Sequence, residues 1–215
     1  NIFVVVIFLY SVTFGTITHT SNAPNSDAAI ILKLNSSGVV QWATKINPSD
    51  VARWTKITID ANDNIFVSGG LTDAGVMFFV AKYNTAGTQL WYQSYGSCYS
   101  KGVNGISGDN LGNIFICGRF MNTITLGSTT LTAMATTFVF ISILVSNVNS
   151  IWVKHLSSSC TLQNSLTSVV ADVSNNIYTI GIFNVTAIVG CITIPFSAWS
   201  KAIIIYSYQN GNPLW

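Results

Sequence analysis

The chain of 215 residues contains no glutamate, and charged residues make up only 7% of it. Ordinary soluble domains carry about a quarter. The seven acids are Asp27, Asp50, Asp60, Asp63, Asp73, Asp109 and Asp172. A hydrolase needs paired carboxylates, or a nucleophile with a base beside it. Asp60, Asp109 and Asp172 fall in a repeated turn, and the other four sit in loops with no evident partner. His19 and His155 lie in different repeats, and no G-x-S-x-G is present. No catalytic constellation emerges, and a non-enzymatic protein is expected. Cysteine is scarce as well: Cys98, Cys117, Cys160 and Cys191 form no C-x-x-C pair and have no histidine nearby, so zinc spacing is missing. No metal or cofactor is expected. Cys98 and Cys160 occupy related places in adjacent repeats, compatible with a disulfide in an oxidising compartment, although buried free thiols are the plainer reading.

Basic residues are few and scattered, and the net charge of +2 leaves no nucleic-acid footprint. No apolar run is long enough for a transmembrane helix. The apolar start, Asn1 to Tyr10, lacks the basic flank and small-residue cleavage site of a signal sequence, and reads as a strand. Helical periodicity is absent, and Val, Ile, Thr and Phe dominate. An outer-membrane barrel would need strands of about ten residues with alternating faces; the strands here are shorter and apolar on both faces. Asn, Ser and Thr must supply most of the polar surface, and so weakly charged a surface favours association.

What the sequence does have is an internal repeat. Asp60-Ala61-Asn62-Asp63-Asn64-Ile65-Phe66 recurs as Asp109-Asn110-Leu111-Gly112-Asn113-Ile114-Phe115 and as Asp172-Val173-Ser174-Asn175-Asn176-Ile177-Tyr178, and Asn1-Ile2-Phe3 is the tail of a fourth copy. Each copy predicts a strand A, an Asp/Asn/Gly turn, and a strand B opening Asn-Ile-aromatic, with Ile65, Phe66, Ile114, Phe115, Ile177 and Tyr178 expected to be largely buried between sheets. Asp60, Asn64, Asp109, Asn113, Asp172 and Asn176 are the turn residues. The oxygens at alternate positions resemble the first half of a calcium loop, but the loop glycine and final acid are missing, so Asx turns explain them better. A third, apolar strand C covers Ala28–Leu34, Met77–Tyr83, Phe138–Leu144 and Lys201–Ser207. A four-residue turn follows, and strand D then carries Trp42, Trp91, Trp152 or Trp215. One tryptophan at a fixed place per repeat predicts packing between sheets, leaving Trp54 and Trp199 as the better candidates for exposed contacts. Copies one, three and four insert a Gly-centred ribbon between B and C, starting at Ser11, Thr123 and Ala187; copy two has only a turn there. Inserts at one connection gather on one face, often the binding face.

Four short strands per repeat predict an all-β β-propeller, with repeats near 1–45, 46–96, 97–158 and 159–215. The pattern D-x-x-x-N-I-[FY], T-x-T-x-G, apolar-Lys-x-Asn-x-x-Gly and Trp resembles the SBBP family, the seven-bladed β-propeller repeat. Ile30–Trp42 and Phe79–Trp91 are its clearest parts. In copies three and four, alignment on the hairpin turn replaces Lys33 and Lys82 by Leu144 and Tyr206. The family shares no established catalytic residues. The resemblance therefore implies an architecture and an extracellular or particle-surface setting, such as a virion, with protein subunits or further repeats as partners. A carbohydrate-binding module is the alternative and a glycan-active enzyme a third. Asn35 and Asn184 begin glycosylation sequons. With only three A strands for four B, C and D strands, the repeats are expected to form an arc of a larger ring.

Overall fold

β-Branched and aromatic runs broken by Asn/Gly turns yield strands, and no helix occurs among the described residues. The computed structural model describes residues 1–21, 27–46, 52–71, 78–95, 102–120, 123–133, 138–144, 150–158, 165–183, 186–189, 192–195 and 201–207. In chain order the first repeat supplies β1 (Ile2–Phe8), a hairpin of β2 (Ser11–Phe14) and β3 (Ile17–Thr20), then β4 (Ala28–Leu34) and β5 (Val40–Ile46). The second supplies β6 (Ala52–Ile59), β7 (Ile65–Leu71), β8 (Phe78–Tyr83) and β9 (Gln89–Tyr95). The third has β10 (Val103–Gly108), β11 (Ile114–Phe120), the hairpin β12 (Thr123–Leu126) and β13 (Thr129–Thr132), β14 (Phe138–Leu144) and β15 (Ser150–Ser158). The fourth has β16 (Ser165–Ala171), β17 (Ile177–Phe183), the hairpin β18 (Ala187–Val189) and β19 (Ile192–Ile194), and β20 (Lys201–Ser207).

These strands make four successive antiparallel sheets: β1-β4-β5, β6-β7-β8-β9, β10-β11-β14-β15 and β16-β17-β20. The register is the same in each. Phe3 pairs with Lys33 and that with Trp42; Phe66 with Lys82 and that with Trp91; Phe115 with Ile143 and that with Trp152. Tyr178 pairs with Tyr206 in the fourth sheet. The third-copy equivalent of Lys33 is therefore Ile143 and not the Leu144 given by turn alignment. The nine-residue step to tryptophan, not the hairpin turn, carries the register.

Period-two alternation gives each sheet two apolar faces, which explains strands without polar positions. The isoleucine of Asn-Ile-aromatic points back to the preceding sheet and the aromatic forward to the next. Thus Ile65, Val67, Phe79 and Ala81 pack on Ala29, Ile31, Phe3 and Trp42 of the first sheet. Ile114, Ile116 and Phe140 pack on Phe66, Phe78, Val80 and Tyr95. Ile177, Leu166 and Val169 pack on Phe115, Cys117, Val139 and Trp152. Ile65, Phe66, Ile114, Phe115 and Ile177 are buried, as expected of residues between sheets. Tyr178, expected to be buried with them, is only half-buried: it lies on the forward face of the fourth sheet, with no described sheet beyond it.

The A strands lie closest together. Gly108 N–H donates to Thr58 Oγ1 (3.2 Å), and Ala171 N–H donates to Ser107 Oγ (3.4 Å), so equivalent hydroxyls tie each A strand to the next. Asn104 Nδ2 adds bonds to Leu166 O (2.7 Å) and Ser165 Oγ (3.2 Å). The three inserts are hairpins. The first two stand as separate two-stranded ribbons, while the third joins another repeat's sheet: Ile188 and Ala187 pair with Ser157 and Ser158 at the outer edge of β15.

Candidate functional site

The repeated acids sit in three copies of one turn. Asp60 Oδ1 accepts from Asn62 N–H and Asn64 N–H, both 2.9 Å, while Oδ2 accepts from Asn64 Nδ2 at 2.8 Å. Asp109 takes the same three donors from Leu111 and Asn113, and Asp172 from Ser174 and Asn176. The third residue after each Asp is left-handed: Asp63, Gly112 and Asn175 have φ of 59°, 83° and 60°. Asp, Asn and Gly are the residues that adopt this conformation at least cost, which is why the single glycine can vary among copies. The carboxylate oxygens that resembled half a calcium loop thus each accept from donors within the turn.

The remaining lone pairs differ between copies. Lys82, side chain 11% exposed, places Nζ 3.8 Å from Asp60 Oδ2, itself on a side chain 1% exposed. The same ammonium lies 4.9 Å over the Phe66 ring. In the fourth copy Tyr178 Oη donates to Asp172 Oδ2 at 3.3 Å. Hydrogen bonds from the Asn176 amide and backbone, with smaller help from Ser174 and Tyr178, hold the Asp172 carboxyl below its usual range. Its share of stability is present above the unfolded-state pKa and is lost as pH falls through the folded one. The Asp60–Lys82 pair was not foreseen in the sequence; the common register that sets Lys82 beside Phe66 is the signal that marks it.

The other candidates are dispersed. Trp42, Trp91 and Trp152 are half-buried between sheets, and Trp42 Nε1 donates to Thr85 O (3.2 Å) in the next sheet's hairpin turn. His19 Nε2 lies 3.3 Å from Ala43 O, where it pins the first insert hairpin to β5. Asn35 Oδ1 accepts from Ser37 N–H and Val39 N–H in an exposed turn. Asp63 is exposed. Trp199, Trp215, Asn184, Asp50, Asp73, Cys98, Cys160 and Cys191 lie outside the described residues, as do the side chains of Trp54 and His155. Among the described residues no three His, Cys or Asp side chains converge, and no helix is long and apolar enough to cross a membrane. On the insert hairpins, exposed threonines pair across the strands: Thr13 with Thr18 (2.9 Å) and Thr125 with Thr130 (3.0 Å) between hydroxyl oxygens.

Cys117 is buried between the third and fourth sheets. Burial pushes its thiol up to about 12, against a smaller lowering by a hydrogen bond with the Gly105 backbone. Because the thiolate is the nucleophile, iodoacetamide at pH 8 is expected to leave Cys117 unmodified in the folded protein and to alkylate it in urea. Peptide mass spectrometry reads the difference, and native labelling at Cys117 would contradict the packing. Burial also raises the Tyr83 and Tyr95 hydroxyls, Tyr83 further through Tyr92. Below about pH 7.5 all three groups stay neutral in both states, the unfolded thiol ionising first, at about 8.5, and the unfolded phenols at about 10. Above that, the unfolded chain releases protons that the folded chain keeps, so stability falls as pH rises, by about 1.4 kcal/mol per pH unit for each retained proton. The urea midpoint should drop clearly between pH 8 and pH 10.5; an unchanged midpoint would show these groups to be solvated. No family model matches the chain, and no curated protein matches it.

Proposed function

We propose that the protein is a non-enzymatic interaction module whose four sheets are blades of a β-propeller, displayed outside a cell or on a particle surface such as a virion. The observation that carries this reading is the equivalence of the sheets. The same register, the same Asp turn and the same hydroxyl-to-amide tie between A strands recur from one sheet to the next. The repeated acids, the residues best suited to chemistry by number, serve the turns. A surface poor in charge, with Leu111 and Val173 exposed at successive Asp turns, suits contact with protein neighbours. Labelling intact cells or particles with a membrane-impermeant amine reagent tests the setting. Exposed Lys56 and Lys154 should be modified before lysis. Modification only after lysis overturns surface display.

The paired threonines favour carbohydrate binding as the second reading. Two insert hairpins present the same four-hydroxyl ribbon, Ser11, Thr20, Thr13 and Thr18 on one, Thr123, Thr132, Thr125 and Thr130 on the other. Saturable binding on a glycan array that is lost in Thr13→Val and Thr125→Val would establish it. An array without hits leaves the protein-interaction reading in place.

A further inference from the structure

Lys82 is the one buried lysine among the described residues, and the groups around it make a reactive set. Its side chain is 11% exposed, and Nζ lies 3.8 Å from Asp60 Oδ2, on a side chain 1% exposed. The same carboxylate oxygen accepts from Asn64 Nδ2 at 2.8 Å. A carboxylate only accepts, so the amide turns its NH2 group toward Asp60. Asn64 precedes Phe66 by two residues and shares its face, and Phe66 is the cross-strand neighbour of Lys82. One carboxylate oxygen thus stands between an amine and the nitrogen of a side-chain amide. The Phe66 ring, 4.9 Å from Nζ, and Trp91, edge-on to that ring, bound the set on its apolar side.

The other copies hold parts of this set, and none holds the whole among the described residues. Asp109 with Asn113 and Asp172 with Asn176 repeat the carboxylate and the amide, but Ile143 and Tyr206 stand opposite their aromatics. Lys33 stands opposite Phe3, and its ammonium donates to Thr85 O at 3.2 Å. The Asp109 turn closes on the same three donors with no charged partner among the described residues, so the turn itself needs no cation. At 3.8 Å the Lys82–Asp60 contact is also too long for a hydrogen bond. The turn therefore does not account for a lysine buried at position 82.

We propose that Lys82 and Asn64 join in an isopeptide bond, formed within the folded chain with Asp60 as the proton carrier. Attack requires an unprotonated amine, and Asp60 Oδ2 is the base within reach. Lys82 Nζ gives a proton to Asp60, and the freed electron pair forms a bond to Asn64 Cγ. Asp60 passes that proton to the former Nδ2, a second proton follows from the attacking nitrogen, and the Cγ–Nδ2 bond breaks. Two of the three ammonium protons leave with the asparagine nitrogen as an ammonium ion, and the third stays on the new amide. Asp60 ends as the carboxylate it began as, with the new N–H in place of the departed donor. No oxidant, reductant or outside catalyst is needed. The approach falls to the flexible lysine stem, since turn and strand fix Asp60, Asn64 and Phe66. The product ties the start of β7 covalently to β8, and it forms whatever the module's partner is.

Intact mass and peptide mapping of the purified chain test this. The wild type should be lighter than its sequence by one ammonia. Trypsin should fail to cut after Lys82, and further digestion with chymotrypsin should release a branched peptide joining Asn64 to Lys82. Asp60→Asn removes the proton carrier and Lys82→Arg the nucleophile, and both should show the full sequence mass. Asp109→Asn, in a turn with no lysine opposite, should keep the loss of ammonia. Should Asp60→Asn fail to fold by far-UV circular dichroism, Lys82→Arg keeps the cation beside Asp60 and stands in for it; the branched peptide of the wild type decides in any case. A wild type of full mass overturns the inference and leaves surface display standing. Loss of water in place of ammonia also overturns it, since that marks an amide made to Asp60 itself. An ammonia loss that persists in Lys82→Arg overturns it too, since that marks an asparagine cyclising elsewhere in the chain.

Discussion

Replacing Asp60 with alanine should destabilise the chain by about 3–5 kcal/mol, the effect of stranding a buried partner charge. The Lys82 ammonium would keep the Phe66 ring but lose its carboxylate, and Asn62 N–H, Asn64 N–H and the Asn64 amide would lose their acceptor. Asp109→Ala strands no charge among the described contacts and should cost less, about 2–3 kcal/mol for donors left unpaired. Asp172→Ala, in the most solvated of the three turns, should cost least. A swap isolates the geometry. Asp109→Asn keeps one oxygen for Leu111 and Asn113 N–H but sets two amide groups against each other. Adding Asn113→Asp restores a donor–acceptor pair and should recover most of the loss in a double-mutant cycle. Equal losses at all three aspartates, or no recovery in the swap, would show that the turns are held by something else.

The second large effect is expected at Gly105. A Cβ there would sit 2.9 Å from Cys117 Sγ, Ser168 Cα and Val169 N, where the A strands β10 and β16 pass each other. Two of these atoms are backbone and cannot swing away. Gly105→Ala should cost about 3 kcal/mol, at the upper end of overpacking, and Gly105→Val more. Removing the sulfur with Cys117→Ala should not rescue either, because the backbone clash remains. Gly15→Ala provides the contrast: nothing lies within 4 Å, and only its φ of +61° opposes the change, at about 1 kcal/mol. Urea unfolding followed by circular dichroism ranks the variants. Gly105→Ala within 0.5 kcal/mol of wild type would mean that the third and fourth sheets are not docked as described.

Local chemistry was legible in the sequence. The Asp turns, the Asn35 turn and the ribbons at Ser11 and Thr123 need only neighbouring residues, and the repetition exposed them. The orientation of the sheets was half legible. Burial of Ile65, Ile114 and Ile177 could be expected, but not that isoleucine faces back and the aromatic forward, because periodicity alone does not say which face meets which sheet. Register was misread at Leu144, since turn residues drift while the cross-strand step from Ile143 to Trp152 does not. The Asp60–Lys82 pair joins a turn to a strand two elements away, and Asn104 reaches into another repeat. Neither follows from spacing within a copy. The destination of the Ala187–Ile194 ribbon was hidden for the same reason.

That ribbon makes the unit of sequence differ from the unit of structure. β18 and β19 belong by order to the fourth repeat, yet they complete the third by lying along β15. A chain cut or shuffled at the repeat boundary near residue 158 would leave the end of β15, at Ser157 and Ser158, without its strand partner, a short open edge for another strand. During synthesis the same edge stays open until about thirty more residues have followed. The neighbouring repeats are thus joined as a lap joint is, and a cut near residue 158 severs that pairing.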